Sequence, residues 1–240
     1  MEHSGPDIAA RITERQMRLW NALHPSEHSK SSPYRFLTIS RDEGTLGDEI
    51  AQALAQRLGW RLYDKEIVNY IANHNHVRED MVRQLDEKSR GLIHDTILRL
   101  LRMPESSPFG SEEYHESLMK TLATLATQGD AVLVGRGANF ALHRSEDGLH
   151  VRTTGSSKVR IQRLSKSWQV TPDIARQRMM EIDEERRAFI RHHFNQDLDD
   201  LSFYSLIFNT DHFSVRQVVS SVLSMVQPEA PPMESRFSGN

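Results

Sequence analysis

The residues with the clearest potential for chemistry lie in one stretch, Phe36–Leu58, where an apolar run meets a glycine-containing turn. Phe36–Ile39 is short, apolar and β-branched, which predicts a buried strand. After Gly47 the apolar residues recur with helical spacing, at Ile50, Ala51, Leu54, Ala55 and Leu58. The first amides of a helix and the positive end of its dipole attract anions. The residues predicted to contact phosphate in this way are Gly44, Thr45, Leu46, Gly47 and Asp48.

This loop departs from the standard phosphate-loop pattern, G-x-x-x-x-G-K-[ST], at each of its defining positions. Arg41 stands at the first glycine and Leu46 at the second. Gly47 stands at the lysine and Asp48 at the hydroxyl residue. The stretch on its own is therefore compatible both with a phosphate loop and with simple strand-to-helix packing.

Strand and helix patterns alternate along the rest of the chain. Ala131–Val134 is continuous and apolar, as a central parallel strand buried on both faces should be, and Gly135-Arg136-Gly137 follows it directly. Open α/β sheets place their ligands at this carboxyl edge. Further strands are predicted at 35–40, 60–63, 149–153 and 204–209. We therefore expect an α/β fold with a parallel sheet and helices on both faces.

The composition limits the classes of partner and compartment. The net charge is −3, which argues against a nucleic-acid surface, and there are no cysteines to form disulfides, thiolate metal sites or a cysteine nucleophile. No apolar run reaches the roughly 20 residues that a membrane span needs, and the N-terminus lacks the pattern of a signal peptide. We therefore expect a cytoplasmic protein that binds neither nucleic acid nor membranes.

Six segments, taken in order, resemble the cytidylate-kinase-like family of P-loop nucleoside monophosphate kinases. They are ISRDEGTLGDEIA (39–51), LYDKEIV (62–68), LDEK (85–88), VGRGANF (134–140), EIDEERRAFIRHHF (181–194) and YSLIFNT (204–210). Members commonly carry S-R-E-[FY]-G-S-G-G in the loop. This chain has Leu46 in place of one of those glycines and lacks the lysine of true cytidylate kinases.

The resemblance covers residues 34–226 and implies a P-loop NTPase-type sheet of about five strands flanked by helices. It divides this domain into a helical acceptor-binding region at 65–128 and lid helices at 156–194. Residues 1–33 are predicted to form a helical extension with a linker, and residues 227–240 a flexible tail.

The activity implied by the resemblance is transfer of the γ-phosphoryl group of ATP to CMP or a related monophosphate, with Mg²⁺ as the metal cofactor. The residues that it implies for acceptor binding are Asp64, Arg136 and Asp183. Those that it implies for neutralising the transferred charge are Arg41, Arg163 and Arg187. Nucleotide substrates are the expected partners, and a homodimer stays open.

Several of these residues have a second interpretation, which stays open at this point. Arg41 either supplies the charge of the missing lysine or pairs with Asp42, Glu43 or a helix carboxylate. Asp48 either binds Mg²⁺ or is a first-turn acid favoured by the helix dipole. The arginines of the lid helices either bind phosphate or form a solvated salt-bridge face. For the whole chain, the alternative to a kinase is a non-catalytic, nucleotide-binding regulatory protein.

Overall fold

The computed structural model describes residues 32–73, 78–79 and 112–227. Within these residues the chain forms one parallel sheet with helices on both faces. Three predicted segments lie wholly or almost wholly outside this part of the chain: the extension at 1–33, the LDEK segment at 85–88 and the tail at 227–240.

The sheet is built from strands that all run in the same direction. In the described part of the chain they are β1 (Phe36–Arg41), β2 (Arg61–Tyr63), β3 (Ala131–Val134), β4 (Gly148–Thr154) and β5 (Leu206–Asn209). They lie in the order β2-β3-β1-β4-β5, and every neighbouring pair is parallel. The predicted parallel α/β sheet is therefore confirmed, with β1 at its centre.

Helices connect the strands and cover the sheet. They are α1 (Gly47–Leu58), α2 (Lys65–Asn73), α3 (Glu112–Gln128), α4 (Ala138–Leu142), α5 (Ser157–Trp168), α6 (Pro172–Phe194) and α7 (Val215–Val226). The hydroxyls of Ser156 and Thr171 accept hydrogen bonds from the first turns of α5 and α6, which fixes both helix starts. Across the described ranges, none of the helices combines the length and the apolar character that crossing a bilayer demands.

Alternation along the strands divides the core between the two faces of the sheet. Leu37 and Ile39 of β1 pack with Val132 of β3 in a cluster that α1 and α7 cover. Phe36 and Leu133 point to the opposite face, where α2, α3, α4 and the end of α6 pack. Because the central strands are buried on both faces, their carboxyl ends are firm supports for the loops that follow.

Four of the five described strands differ in their limits from the sequence prediction. β1 begins and ends one residue later than predicted, at Phe36 and Arg41, and β2 begins one residue later, at Arg61. β5 begins at Leu206 rather than Tyr204, because Leu201–Phe203 forms a 3₁₀ turn and Tyr204 Oη donates a 2.7 Å hydrogen bond to the Leu198 carbonyl. β4 extends one residue further at each end than the predicted 149–153, since Gly148 pairs with Phe36 of β1 and Thr154 pairs with Asn209 of β5. Apolar alternation alone does not mark such ends.

The position of Leu133 predicts a large loss of stability on truncation. Leu133→Ala removes a fully buried side chain from β3, and we expect it to lower the free energy of unfolding by about 2–5 kcal/mol. Leu201→Ala is the matched control, because Leu201 is 64% exposed, and it should change that energy by less than about 0.5 kcal/mol. Urea denaturation measures both, and equal effects would contradict the assignment of Leu133 to the core.

Candidate functional site

A cleft of about 1140 Å³ opens at the carboxyl ends of β1, β2 and β3. It is lined by the loop after β1 (residues 42–48, the phosphate loop), by Asp64 and Lys65 after β2, and by residues 135–137 after β3 (the arginine loop). Residues of α5 and α6 line it as well. Because open α/β sheets bind ligands at this edge, the cleft is the candidate site.

The phosphate loop leaves several backbone amides without an acceptor. Within the loop and the first turn of α1, the amides of Gly44, Leu46, Gly47, Asp48 and Glu49 donate to no described protein group. Thr45 is turned inward instead, and its buried hydroxyl donates to the Asp42 carbonyl at 2.7 Å. The open amides and the N-terminus of the 12-residue α1 together form a surface suited to an anion.

Arg41, at the end of β1, reaches from the phosphate loop to the arginine loop. Its stem packs over Gly47, where a Cβ atom would lie 2.5 Å from Arg41 Cβ. Its Nε donates to Asp48 Oδ1 at 2.9 Å, and its Nη1 lies where a side chain on Gly135 would begin. Burial lowers the pKa of Arg41, while Asp48 opposes the shift and Arg186 adds to it. Arg41 therefore pairs with a helix carboxylate and also borders the cleft.

Arg136 is presented to the cleft by an unusual backbone conformation. All three residues of the arginine loop have positive φ, at +72°, +52° and +67°. The ring of Phe194 fills the space beside Gly137, so this position requires glycine. The Arg136 guanidinium carbon lies 4.7 Å from the centre of the Phe189 ring, at cation–π distance. Its Nε is buried with no hydrogen-bond partner in the described part of the chain, so the protein leaves this charged donor unsatisfied.

Glu43, in the phosphate loop, is held by α5 and α6. Its amide donates to Asp183 Oδ1 at 2.8 Å, and its carbonyl accepts from Arg160 Nε at 2.7 Å. Its carboxylate accepts from Arg186 at 2.6 Å. Arg160 and Asp183 also form a buried ion pair with each other. These contacts fix the phosphate loop against both helices.

Asp42 ties the phosphate loop to β4. Arg152 donates to Asp42 Oδ1 at 3.0 Å, and Thr154 donates to Oδ2 at 2.9 Å. Arg152 also pairs with Asp199 at 2.6 Å, and its guanidinium lies over the Tyr204 ring. The sequence prediction missed Arg152, although a charged residue inside a buried strand is itself a sign of a paired group.

Most of the residues predicted for the site line the cleft. These are Arg41, Gly44, Thr45, Leu46, Gly47, Asp48, Asp64, Arg136 and Arg163. Asp183 and Arg187 do not line it. Asp183 is 6% exposed and bound by Arg160 and Glu43, so its predicted contact with the acceptor stays a prediction and would require release from this pair. Arg187 faces Asp199 at 3.4 Å. The rotation of α6 decides these directions, and its charge pattern does not reveal that rotation.

Arg163 borders the cleft, but its guanidinium is engaged by the protein. It donates to the carbonyl and hydroxyl of Thr210 at 2.6 and 2.9 Å, and to the Gly44 carbonyl at 3.3 Å. Arg163 thus joins α5 to the end of β5 and to the phosphate loop. Its predicted contact with a transferred phosphoryl group stays a prediction and would require release from Thr210.

The described residues fit a magnesium ion that arrives with a nucleotide. In this part of the chain no group of three or more His, Asp or Glu side chains could hold a metal ion. Asp48 lines the cleft and is 65% exposed, and one of its oxygens accepts from Arg41. Magnesium at kinase sites takes one or two carboxylates beside phosphate oxygens and water, so Asp48 fits that limited role.

Aromatic side chains gather beside Arg136. The His193 ring stacks on His115 with 5.9 Å between centroids, and it lies 5.5 Å from Tyr114 and 4.4 Å from Phe189. Burial lowers the pKa of His193 to about 4, and neighbouring histidines and Arg136 add to the shift. His193 is therefore uncharged at neutral pH, and these rings form a largely apolar wall.

The lowered pKa of His193 predicts acid-sensitive stability. The unfolded chain has the ordinary value of 6.5 and the folded chain about 4, so between these pH values the unfolded state binds more protons. Stability should therefore fall as the pH is lowered from 6.5 towards 4. In NMR titrations of the folded protein we expect His193 to stay neutral above about pH 5. His193→Gln should flatten the dependence of the unfolding free energy on pH in this window, and an unchanged slope would refute the assignment.

Two neighbouring acids of α6 test the buried ion pair. Asp183→Ala leaves Arg160 buried without its partner, and we expect a loss of about 3–5 kcal/mol in unfolding free energy. Glu184→Ala removes only an exposed pair with Arg191 and should cost less than about 0.5 kcal/mol. Urea unfolding measures both, and similar losses would show that the buried pair does not hold α6.

The cytidylate kinase-like family model matches residues 36–212, which is well over half of the chain. The sequence is also 30% identical over 117 residues to the cytidylate kinase of Methanocaldococcus jannaschii. That match covers 48% of this chain and 66%, slightly less than two thirds, of the relative.

A solved structure shows the same kind of fold at low identity. An uncharacterized protein from Eubacterium ventriosum superposes with a TM-score of 0.62 at 15% identity, over 81% of this chain and 98% of that one. Shikimate kinase from Bacteroides thetaiotaomicron has a TM-score of 0.42 at 15% identity, over 79% and 96%, which is below the level of a shared fold. The family-model match runs from β1 past the end of β5 and includes both loops of the cleft, and the chain therefore belongs to the cytidylate kinase-like family.

Proposed function

We propose that this protein is a kinase that transfers the γ-phosphoryl group of ATP to a nucleoside monophosphate, CMP or a close relative. The observation that carries the proposal is the position of Arg41, which borders both the phosphate loop and the arginine loop. A phosphoryl group that moves from a donor on the first loop to an acceptor on the second would pass beside this guanidinium. Membership of the family supports a nucleotide kinase and leaves the acceptor base open.

The donor phosphates are assigned to the phosphate loop and Arg41. Phosphoryl transfer depends on positioning and on neutralising charge rather than on covalent catalysis by the protein. The loop amides supply hydrogen-bond donors, but Gly47 supplies no cation. Asp48 engages Arg41 through Nε, and the terminal nitrogens of Arg41 make no hydrogen bond to described residues. Those nitrogens can take the part of the missing lysine, since guanidinium matches phosphate oxygens well.

The acceptor monophosphate is assigned to Arg136 and the surfaces around it. Arg136 brings a buried, unpartnered Nε to the cleft, and Asp64 and Lys65 lie at the end of β2 on the same side. Phe189 lines the cleft and packs against His193, which in turn contacts Tyr114, so its ring offers a supported apolar surface against which a base can pack. An acceptor phosphate is already ionised at neutral pH, so the proposal assigns no side chain as general base.

Mg²⁺ bound with ATP would neutralise charge on the β- and γ-phosphate oxygens. Asp48 would supply the protein's oxygen to that ion. The residues of the chain then have separate tasks: the phosphate loop orients the donor, Arg41 meets the charge on the group in transfer, and Arg136 holds the acceptor.

A second candidate is a non-catalytic, nucleotide-binding regulatory protein built on the same loop. The observation that favours it is that arginines around the loop already bind protein groups instead of facing a ligand. Arg160 pairs with Asp183, Arg163 with Thr210 and Arg186 with Glu43. Arg41 itself shares its charge with Asp48. A site of this kind would bind nucleotide without supplying the cations that transfer requires.

Two arginine variants separate the roles of donor and acceptor. Coupled ADP release is measured with ATP, Mg²⁺ and a panel of nucleoside monophosphates. Arg41→Ala should lower kcat by about 10²–10³ while ATP still binds, because it removes a cation from the developing charge. Arg136→Ala should raise the KM for the monophosphate by about 10- to 100-fold with a smaller effect on ATP.

Arg191→Ala is the control for these variants, because Arg191 is an exposed arginine of α6 that pairs with Glu184 outside the cleft. It should keep wild-type kinetics. The kinase proposal would be overturned if the wild-type protein bound ATP but turned over no monophosphate, and if Arg41→Ala changed only the affinity for ATP. That result would favour the regulatory protein.

A further inference from the structure

Asn139 lies near the start of α4, three residues beyond Arg136, and it lines the same cleft. Its side chain is only 4% exposed, and its Nδ2 has no hydrogen-bond partner among the described residues. Arg136 Nε is in the same condition. Two unpartnered buried donors therefore come from one short segment and border one cavity.

Buried hydrogen-bond donors without a partner are rare in folded proteins, and they indicate a ligand that satisfies them. Burying a polar group without a partner costs free energy, and nearly all buried N–H groups are satisfied by protein or water. Both groups here are donors, so the matching occupant carries hydrogen-bond acceptors. Since one of the two donors belongs to a guanidinium, which lies over the Phe189 ring, an anionic occupant fits best.

Tyr204 is the protein group that competes for the Asn139 amide. Asn139 lies close enough to the Tyr204 hydroxyl to oppose the burial that raises the pKa of that hydroxyl, but Nδ2 makes no hydrogen bond of ordinary geometry with it. That hydroxyl donates to the Leu198 carbonyl at 2.7 Å and accepts from Arg152 at 3.3 Å. Tyr204 is thus already engaged by Leu198 and Arg152, and Asn139, which lines the cleft, keeps its Nδ2 without a hydrogen-bond partner among the described residues.

We propose that Asn139 is a second ligand of the acceptor phosphate, whose Nδ2 donates to one phosphate oxygen while Arg136 binds the others. The inference rests on the proposed function and deepens it. The segment from Arg136 to Asn139 then recognises the phosphate and not the base. Binding energy from these two residues is therefore shared by every nucleoside monophosphate that the cleft admits.

The test measures binding of CMP, UMP, AMP and ATP to wild type and variants by calorimetry. Asn139→Ala should weaken every monophosphate that binds by about tenfold, because a hydrogen bond to a charged group is lost. Asn139→Asp sets a carboxylate against the phosphate and should weaken it by at least about a hundredfold. The loss should be the same for each base, and ATP affinity should stay within about threefold.

Two control variants address a purely structural role. Gln128→Ala alters a buried amide at the end of α3 that does not line the cleft, and it should leave all affinities unchanged. Tyr204→Phe removes the neighbouring hydroxyl but keeps Asn139, and it should leave monophosphate binding unchanged even if the Tm falls. The alanine variant of Asn139 keeps the test valid if the aspartate variant does not fold.

Each outcome decides the proposal. A loss that depends on the base would assign Asn139 to base recognition and overturn the phosphate contact. If the Asn139 variants lost as much affinity for ATP as for the monophosphates, and Tyr204→Phe showed the same losses, the role of Asn139 would be structural. That result would also overturn the phosphate contact. Unchanged monophosphate binding in both Asn139 variants would overturn this inference alone. A wild-type protein that binds none of the three monophosphates would overturn the proposed function with it.

Discussion

The buried ion pair between Arg160 and Asp183 is the interaction on which the shape of the cleft depends. Asp183 neutralises Arg160 and also accepts the Glu43 amide, while Arg160 reaches the Glu43 carbonyl. Burying such a pair adds little net stability, but leaving either charge alone would be very unfavourable. The pair therefore selects one conformation of the phosphate loop rather than adding stability. The loop keeps this conformation only while α5 and α6 are docked beside it. Since Arg186 holds the Glu43 carboxylate as well, the loop and both helices form one unit.

The second constraint is steric and concerns the missing lysine. The stem of Arg41 occupies the space over Gly47, so a longer residue at position 47 and the present position of Arg41 exclude each other. Replacing Gly47 by lysine in this chain would displace Arg41 rather than add a cation to it. Two departures from the standard pattern, Arg41 and Gly47, are therefore linked, because the arginine side chain occupies the space that a side chain at position 47 would need. The same guanidinium also fills the space beside Gly135, which explains why both of its neighbours are glycines.

The sequence was sufficient for the fold because its main signals are local. The apolar run 131–134 and the helical spacing after Gly47 each depend on a few neighbouring residues, and the structure has both. The directions of long charged side chains depend on tertiary packing instead. Asp183 turned into a buried pair and Arg163 towards Thr210, although both lie on helices that were predicted correctly. Asn139 carried no signal in sequence, because only burial without a partner sets it apart from other asparagines.

Backbone strain collects at the same two loops. Leu46 has φ of +59°, in the left-handed region that glycine adopts without cost, and it stands where the family pattern has glycine. Arg136 has φ of +52° between two glycines that are also left-handed. Such residues persist only where the surrounding structure fixes them, and here the ion pairs of Asp42 and Glu43 fix one loop while the Phe194 and Phe189 rings fix the other. Both strained residues border the cleft, and beside the second lie the unpartnered donors of Arg136 and Asn139. An anion that satisfied those donors would bind a surface already held in place, so little of its binding energy would be spent on ordering the protein.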